Sequence, residues 1–86
     1  MKLTDVMMNH GWVQCNVDNK YNKLKVYQKD NLLFGVQKIG NVFRLDIQQV
    51  MNFGGMMLPG QKMLDNQIVP LESLEPTLND LLPQLL

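Results

Sequence analysis

Two side chains in the sequence could act as a nucleophile or a general base, namely His10 and Cys15. A catalytic thiol needs a neighbouring base and an electropositive setting, but the spacing of these two residues does not require them to meet. His10 closes a predicted helix, whose C-terminal end favours a cationic ring. Cys15 alternates with Val13 and Val17 on the predicted buried side of a strand. We therefore expect structural roles for both residues and no enzymatic activity.

The sequence holds no signature of a metal or cofactor site. His10 is the only histidine and Cys15 the only cysteine, so neither a paired set of zinc ligands nor an intrachain disulfide is expected. The glycines at positions 54, 55 and 60 do not match the spacing of the common phosphate-binding loops. We expect a chain without a metal or a cofactor, and a lone thiol is typical of a reducing cytoplasm.

A group of cations around one tyrosine is the sharpest binding signal. Lys23, Lys25 and Tyr27 are predicted on the outer side of the second strand, with Arg44 on the same side of the fourth. Single-strand nucleic-acid binders stack bases on such aromatics and hold phosphates with such cations. The same residues also fit a solvated face whose lysines prevent aggregation, or a surface for an acidic protein. The zero net charge of the chain weighs against a dedicated nucleic-acid binder.

A second candidate surface lies just after the fourth predicted strand, where apolar residues mix with glycines. Its members are Phe53, Met56, Met57 and Leu58. Methionines suit adaptable contact surfaces, but they fill gaps in a core equally well. If the segment is exposed, it marks an interaction site. The sequence leaves open whether the segment is exposed or packed against the sheet.

A short helix and a series of strands must position these residues. Residues 3–10 have the spacing of one apolar helical face, with Thr4 as a candidate N-cap and Gly11 suited to end the helix. Alternating apolar and polar residues predict four strands, at residues 12–18, 23–28, 32–39 and 42–49. Short turn-forming segments connect the last three of these strands, and the chain therefore predicts an antiparallel meander.

Two turns define the predicted register of the meander. Gly40-Asn41 has the glycine-first pattern of a two-residue turn, and this turn sets Phe34 opposite Ile47. A three-residue loop ending at Asn31 sets Val26 opposite Phe34. Both turns place Phe34 on the apolar face. A loop shorter by one residue would pair Phe34 with the outward tyrosine and turn the apolar residues of the second strand outward.

The alternation breaks after the fourth strand. Residues 52–60 predict an irregular Met/Gly-rich segment. A short further strand is expected at residues 62–64 or 67–69, and Pro70 limits any strand there.

Leucines in the last third of the chain recur at steps of three and four residues and predict a short C-terminal helix. They are Leu71, Leu74, Leu78, Leu81 and Leu85. Pro76 fits the first turn of this helix, and Pro83 should end or kink it. We expect the two helices to cover the outer face of the third strand near Leu33 and Ile39.

The sequence thus predicts a single α+β domain over residues 1–86. We expect a small, non-enzymatic, cytoplasmic protein-binding module, of the inhibitor or adaptor type, that occupies the surface of an unidentified protein partner. The absence of alanine beside nine Asn and eight Gln is typical of an AT-rich bacterial or phage source. Single-stranded nucleic-acid binding is the alternative, and no membrane association is expected. A homodimer is expected through the leucine stripe, that is Leu74, Leu78, Leu81 and Leu85.

Overall fold

The computed structural model describes residues 2–15 and 24–85, apart from the side chains of Asn52 and Met57. The elements are α1 (Leu3–Asn9), β1 (Val13–Gln14), β2 (Leu24–Lys29), β3 (Leu32–Ile39), β4 (Val42–Phe53), β5 (Met56–Pro70), a 3-10 turn (Leu71–Ser73), α2 (Leu74–Leu81) and a 3-10 helix (Leu82–Gln84). The strands form one antiparallel sheet in the order β1-β2-β3-β4-β5. The predicted α+β meander between two helices is confirmed, but with five strands rather than four.

The predicted turn between β3 and β4 is confirmed. Gly40 has a φ of 59°, a left-handed conformation that glycine adopts without a steric penalty. The turn sets Phe34 opposite Ile47 and Val36 opposite Leu45. All four side chains are buried in the core. Turn chemistry and apolar alternation therefore specify the same register here.

The predicted register between β2 and β3 is wrong by one residue. The loop is Asp30-Asn31 alone, and it pairs Lys29 with Leu32 and Tyr27 with Phe34. Asp30 takes a φ of 53°, which an aspartate tolerates better than most residues. Tyr27 is therefore fully buried rather than exposed. Its hydroxyl forms a 2.9 Å hydrogen bond with the hydroxyl of Thr4, so the polar end of the ring keeps a partner in the core.

The short first strand follows the shifted register of β2. Gln14 pairs with Tyr27 and Val13 with Gln28. Trp12 is buried and meets Phe34 edge-to-face, with ring centroids 5.6 Å apart. The prediction that Val13 and Cys15 face the core is wrong, because both are exposed. Residues 16–18 of the predicted first strand, Val17 among them, lie outside the described residues.

Helix α1 ends as its sequence predicts. Gly11 has a φ of 86° and donates its backbone N–H to the carbonyl of Met8, which is how a left-handed residue closes a helix. The Nζ of Lys29 donates to the carbonyl of His10 at 2.9 Å, and a cation suits that end of the helix dipole. The N-cap is Lys2 rather than Thr4. Thr4 lies inside the helix and uses its hydroxyl on Tyr27.

The C-terminal leucines pack against the sheet. Leu74, Leu78 and Leu82 are buried in the same cluster as Phe34, Val36, Leu45 and Ile47. Pro76 lies in the first turn of α2, and Pro83 falls in the 3-10 helix that follows it, as predicted. The leucine stripe thus belongs to the core of the protein itself. Self-association remains a prediction, but Leu74 and Leu78 have no exposed area to contribute to it.

Both helices cover one face of the sheet, which we call the covered face. It carries Tyr27, Phe34, Val36, Leu45 and Ile47. Leu33 and Ile39 lie on the opposite face, and Ile39 is exposed. The prediction that the helices shield these two residues is therefore wrong. Among the described helices, none is long and apolar enough to cross a membrane.

Candidate functional site: the β4–β5 arm

The segment predicted to be irregular is instead a regular β-hairpin. Gly54 and Gly55 connect β4 to β5 with φ angles of 58° and 87°. Positive φ at both central residues is the requirement of the type I′ turn, whose twist matches that of the strands it joins. The short further strand expected at residues 62–64 or 67–69 is part of the longer strand β5, which covers both ranges and ends at Pro70.

The tip of this hairpin projects beyond the rest of the sheet. The pairing between β3 and β4 ends where Leu32 meets Gln49, whereas β4 and β5 remain paired as far as Phe53 and Met56. We call residues 50–59 the arm. Its base is held to the preceding loop by the N–H of Val50, which donates to the carbonyl of Asn31 at 2.8 Å. The molecule is elongated accordingly, with extents of 41 × 30 × 21 Å.

One face of the arm carries four large apolar side chains, which we call the apolar quartet. Met51 lies directly opposite Leu58, and Phe53 lies directly opposite Met56. Side chains of such cross-strand pairs share one face of the sheet. Their exposed fractions are 46% for Met51, 60% for Phe53, 66% for Met56 and 39% for Leu58. An exposed cluster of this kind marks an interaction surface.

The apolar quartet continues the covered face of the sheet. Every second side chain of a strand points to the same side of the sheet. In β4 that side carries Leu45, Ile47, Met51 and Phe53, whose successive positions differ by two or four residues. Leu45 and Ile47 are buried, whereas Met51 and Phe53 are not. The helices therefore shield this face only along the body of the sheet and leave the arm bare.

The arm carries no formal charge. Residues 47–61, between Asp46 and Lys62, contain no Asp, Glu, Lys, Arg or His. Asp46 and Lys62, which flank this segment in the sequence, belong to a cluster of charges on β4 and β5 together with Arg44 and Asp65. Surfaces that bind phosphates need cations within reach of the ligand, and the arm itself supplies none.

The charge cluster secures a bulge in β5. The carboxylate of Asp46 accepts the backbone N–H of Asn66 at 3.0 Å and lies 3.5 Å from the Nε of Arg44. The Nζ of Lys62 donates to Asp65 at 3.0 Å. This hydrogen bond, together with the positive charge of Lys62, lowers the pKa of Asp65. Asn66 has a φ of 53°, and its contact with Asp46 holds the chain in that turn.

Three bulges distort β5 along its length. The register shifts fall between Leu45 and Val50 of β4, and the 15 residues of β5 face only 12 of β4. Bulges raise the local twist and keep an edge strand from pairing with another chain. Gly60 lies at one of them, where an added Cβ would meet the carbonyl oxygen of Gln49 at 3.1 Å. A side chain at this position would therefore require the backbone of Gln49 to shift by a few tenths of an ångström.

The structure brings some of the predicted site residues together and separates others. Phe53, Met56 and Leu58 lie side by side in the apolar quartet, and Met57 lies between them in β5, with a side chain outside the described part of the chain. Our prediction omitted Met51, the cross-strand partner of Leu58. The pattern Gly-Gly between two short apolar runs could have identified the hairpin, and with it Met51.

The predicted basic face does not exist as a single surface among the described residues. Lys25 and Tyr27 belong to the covered face, because they pair with Val36 and Phe34. Arg44 pairs with Gln37 on the opposite face. Lys23 lies outside the described residues. With Tyr27 buried, the aromatic platform on which a base could stack is absent from this surface.

The structure places His10 at the C-terminal end of α1 and Cys15 directly after β1. Cys15 is exposed, and its Sγ donates to the carbonyl of Val26 at 3.4 Å. Within residues 2–15 and 24–85, no three His, Cys, Asp or Glu side chains lie close enough to hold a metal ion. The arm is thus the feature with the clearest means of recognising another molecule.

No protein-family model, no curated protein and no solved structure matches this chain. The geometry of the arm therefore carries the functional proposal by itself.

Proposed function

We propose that this protein is a non-enzymatic protein-binding module that occupies the surface of a partner protein with its β4–β5 arm. The observation that carries the proposal is the apolar quartet, displayed on a hairpin that projects past the helices. Four large apolar side chains left in water cost free energy that a partner can recover by covering them. Inhibitors and adaptors act in this way, by occupying a surface rather than by chemistry.

The backbone of the arm supports this role because it is held before any partner arrives. The type I′ turn fixes the tip. The hydrogen bonds from Val50 to the carbonyl of Asn31 and from the Gln48 side chain to the carbonyl of Gly60 fix the base. A preorganised element loses less conformational entropy on binding than a loop that must first fold. The expectations of a cytoplasmic location and of a bacterial or phage source belong to the same proposal.

Affinity capture with matched variants tests the proposal. The tagged full chain is incubated with host-cell extract, with and without nuclease, and the captured proteins are identified by mass spectrometry. In the arm variant, Phe53→Ser and Met56→Ser are combined. In the control variant, Met8→Ser and Val13→Ser remove two apolar side chains outside the arm whose exposed fractions, 57% and 63%, are close to those of Phe53 and Met56.

We expect the arm variant to lose the captured protein at least tenfold and the control variant to retain it. Circular dichroism and thermal unfolding confirm that both variants fold. Equal capture by the arm variant and the unmodified chain would contradict the proposal. Capture that nuclease abolishes would instead support the alternative of single-stranded nucleic-acid binding.

A further inference from the structure

We infer that the arm enters an uncharged apolar groove of its partner protein and is contacted there on both faces. This inference rests on the proposed function and specifies the chemistry of the partner. Four properties of the arm carry it: apolar residues on both faces, the small area of the quartet face, the absence of charge, and a β5 edge that resists strand pairing.

Apolar residues lie on both faces of the arm. The apolar quartet occupies one face, and Val50 and Pro59 form a directly opposed pair on the other. Pro59 is exposed and Val50 is half-buried. At the tip, Gly54 and Gly55 carry no side chains, and nothing lies within 4 Å of where a Cβ would stand. The arm is therefore narrow at its end and carries apolar side chains on both faces, which is the shape of an inserted element.

The area of one face is too small for a flat interface or for a dimer that stacks two quartets. Four half-exposed side chains of this size present on the order of 400 Å². A standard interface buries about 800 Å² on each partner. A groove that encloses both faces and the tip buries more of the surface of the same ten residues than a flat partner surface does. It needs no further contact with the rest of the molecule.

The charge distribution excludes a polyanionic partner for the arm. Since residues 47–61 carry no cation, neither a phosphate backbone nor an anionic lipid headgroup finds a counter-charge there. An apolar element buried against charged groups would leave those groups without partners, which costs free energy. The groove that fits the arm is accordingly uncharged as well as apolar.

The β5 edge of the arm disfavours addition of a strand, so recognition along this edge relies on side chains. Pro59 has no N–H to donate to a neighbouring strand, and the three bulges of β5 break the regular spacing that a pairing strand needs. Within the groove, Phe53 and Met56 flank the turn and reach deepest. Met51 and Leu58 lie closer to its mouth.

Photo-crosslinking from both faces of the arm tests the inference. p-Benzoyl-phenylalanine is placed singly at position 53 on the quartet face, at position 59 on the opposite face, and at position 8 as an exposed control on α1. Each full-length protein is irradiated in host-cell extract at about 0.1 M and about 1 M sodium chloride, where the Debye length falls from about 10 Å to about 3 Å. Flotation with vesicles of equal parts phosphatidylcholine and phosphatidylglycerol tests lipid binding of the purified protein.

The inference predicts the same adduct from positions 53 and 59, with yields that differ less than twofold between the two salt concentrations, and no adduct from position 8. Adducts from position 53 alone would indicate a flat partner surface and overturn the groove. A yield that falls tenfold or more at high salt would overturn the uncharged groove. An adduct of twice the mass of the chain, or flotation with the vesicles, would replace the partner with a second copy or a membrane. The absence of any adduct from either arm position would contradict the proposed function itself.

Discussion

One side of strand β4 is covered by the helices along the body of the sheet and left uncovered in the arm. Leu45 and Ile47 lie under the helices and are fully buried, whereas Met51 and Phe53 point to the same side a few residues later and are half exposed. The alternation along the strand is continuous across this boundary. Burial here is therefore decided by the reach of α1 and α2, not by the pattern of the strand. The half of the face that the helices leave bare is the part available to a partner.

The largest expected effect separates Phe34 and Phe53, two phenylalanines on this face. Phe34→Ala should lower the free energy of unfolding by about 3–5 kcal/mol, because it leaves a cavity beneath Trp12 and Tyr27. Phe53→Ala should change it by less than about 0.5 kcal/mol, since its ring lies outside the core. Urea unfolding followed by tryptophan fluorescence measures both. A loss of more than about 2 kcal/mol from Phe53→Ala would show that the arm belongs to the core.

A smaller effect is expected at the tip, where Gly54 and Gly55 have open space around them but unusual backbone angles. Gly55→Val places a β-branched residue at a φ of 87°, which costs about 1–2 kcal/mol. Because the arm lies outside the core, the cost should appear as local opening. We expect hydrogen exchange of amides 51–58 to accelerate about 5–30-fold, with the amides of β3 unchanged.

The matched control at the tip is Gly54→Asn. Asparagine is favoured at the first central position of a type I′ turn, so exchange in the arm should stay within a factor of about two of the unmodified protein. If both substitutions accelerated exchange equally, the left-handed turn would not be what orders the arm.

The smallest effect is expected at the charge cluster below the arm. The pKa of Asp65 is lowered from 3.8, first by the hydrogen bond from Lys62 and then by its charge. A carboxyl group whose folded pKa is depressed stabilises the fold above its unfolded pKa, and this stabilisation is lost as the pH falls through the folded value. Lys62→Met should raise the pKa of Asp65 back toward 3.8, as followed by NMR titration of the carboxyl carbon.

Lys38→Met provides the control for this titration, because it removes one exposed positive charge on β3 and leaves the bond from Lys62 to Asp65 in place. An equal rise in the pKa of Asp65 in both variants would mean that net charge, rather than this hydrogen bond, sets the value. Since Asp65 is exposed, solvent screens its interaction with Lys62. Between pH 5 and 8, the free energy of unfolding of the Lys62→Met variant should therefore not differ measurably from that of the unmodified protein.

The sequence predicted the register of β3 and β4 because two signals agreed there. Gly40-Asn41 required a two-residue turn, and that turn placed Phe34 and Val36 on the same side as Leu45 and Ile47. In β2 the signals conflicted. Leu24 and Val26 make one side of β2 the more apolar one. The core is nevertheless filled by the larger ring of Tyr27 on the other side, whose hydroxyl is hydrogen-bonded to Thr4. Choosing the wrong loop length shifted the register of β2 against β3 by one residue and inverted β2. Val13 and Cys15 were placed inward by their alternation alone.

The sequence identified residues of the arm as a candidate surface, but it did not predict that they form a β-hairpin. Its residues Phe53, Met56 and Leu58 were singled out by their size among glycines, yet three bulges in β5 removed the period of two by which strands are identified. Whether such residues are exposed depends on how far along the sheet the helices extend, and no local sequence pattern encodes that length. The pairing of Met51 with Leu58 became apparent only once the turn at Gly54-Gly55 was fixed.

Methionine oxidation tests the central claim most directly, because peroxide reports the exposure of single thioethers. In the free protein, Met51 and Met56 should oxidise about as fast as Met8 on α1, whereas buried Met7 should remain protected until the protein unfolds. With the captured partner bound, Met56 should become protected and Met8 should not change. Protection of Met56 equal to that of Met7 in the free protein, or oxidation of Met56 at the rate of Met8 in the complex, would contradict the account.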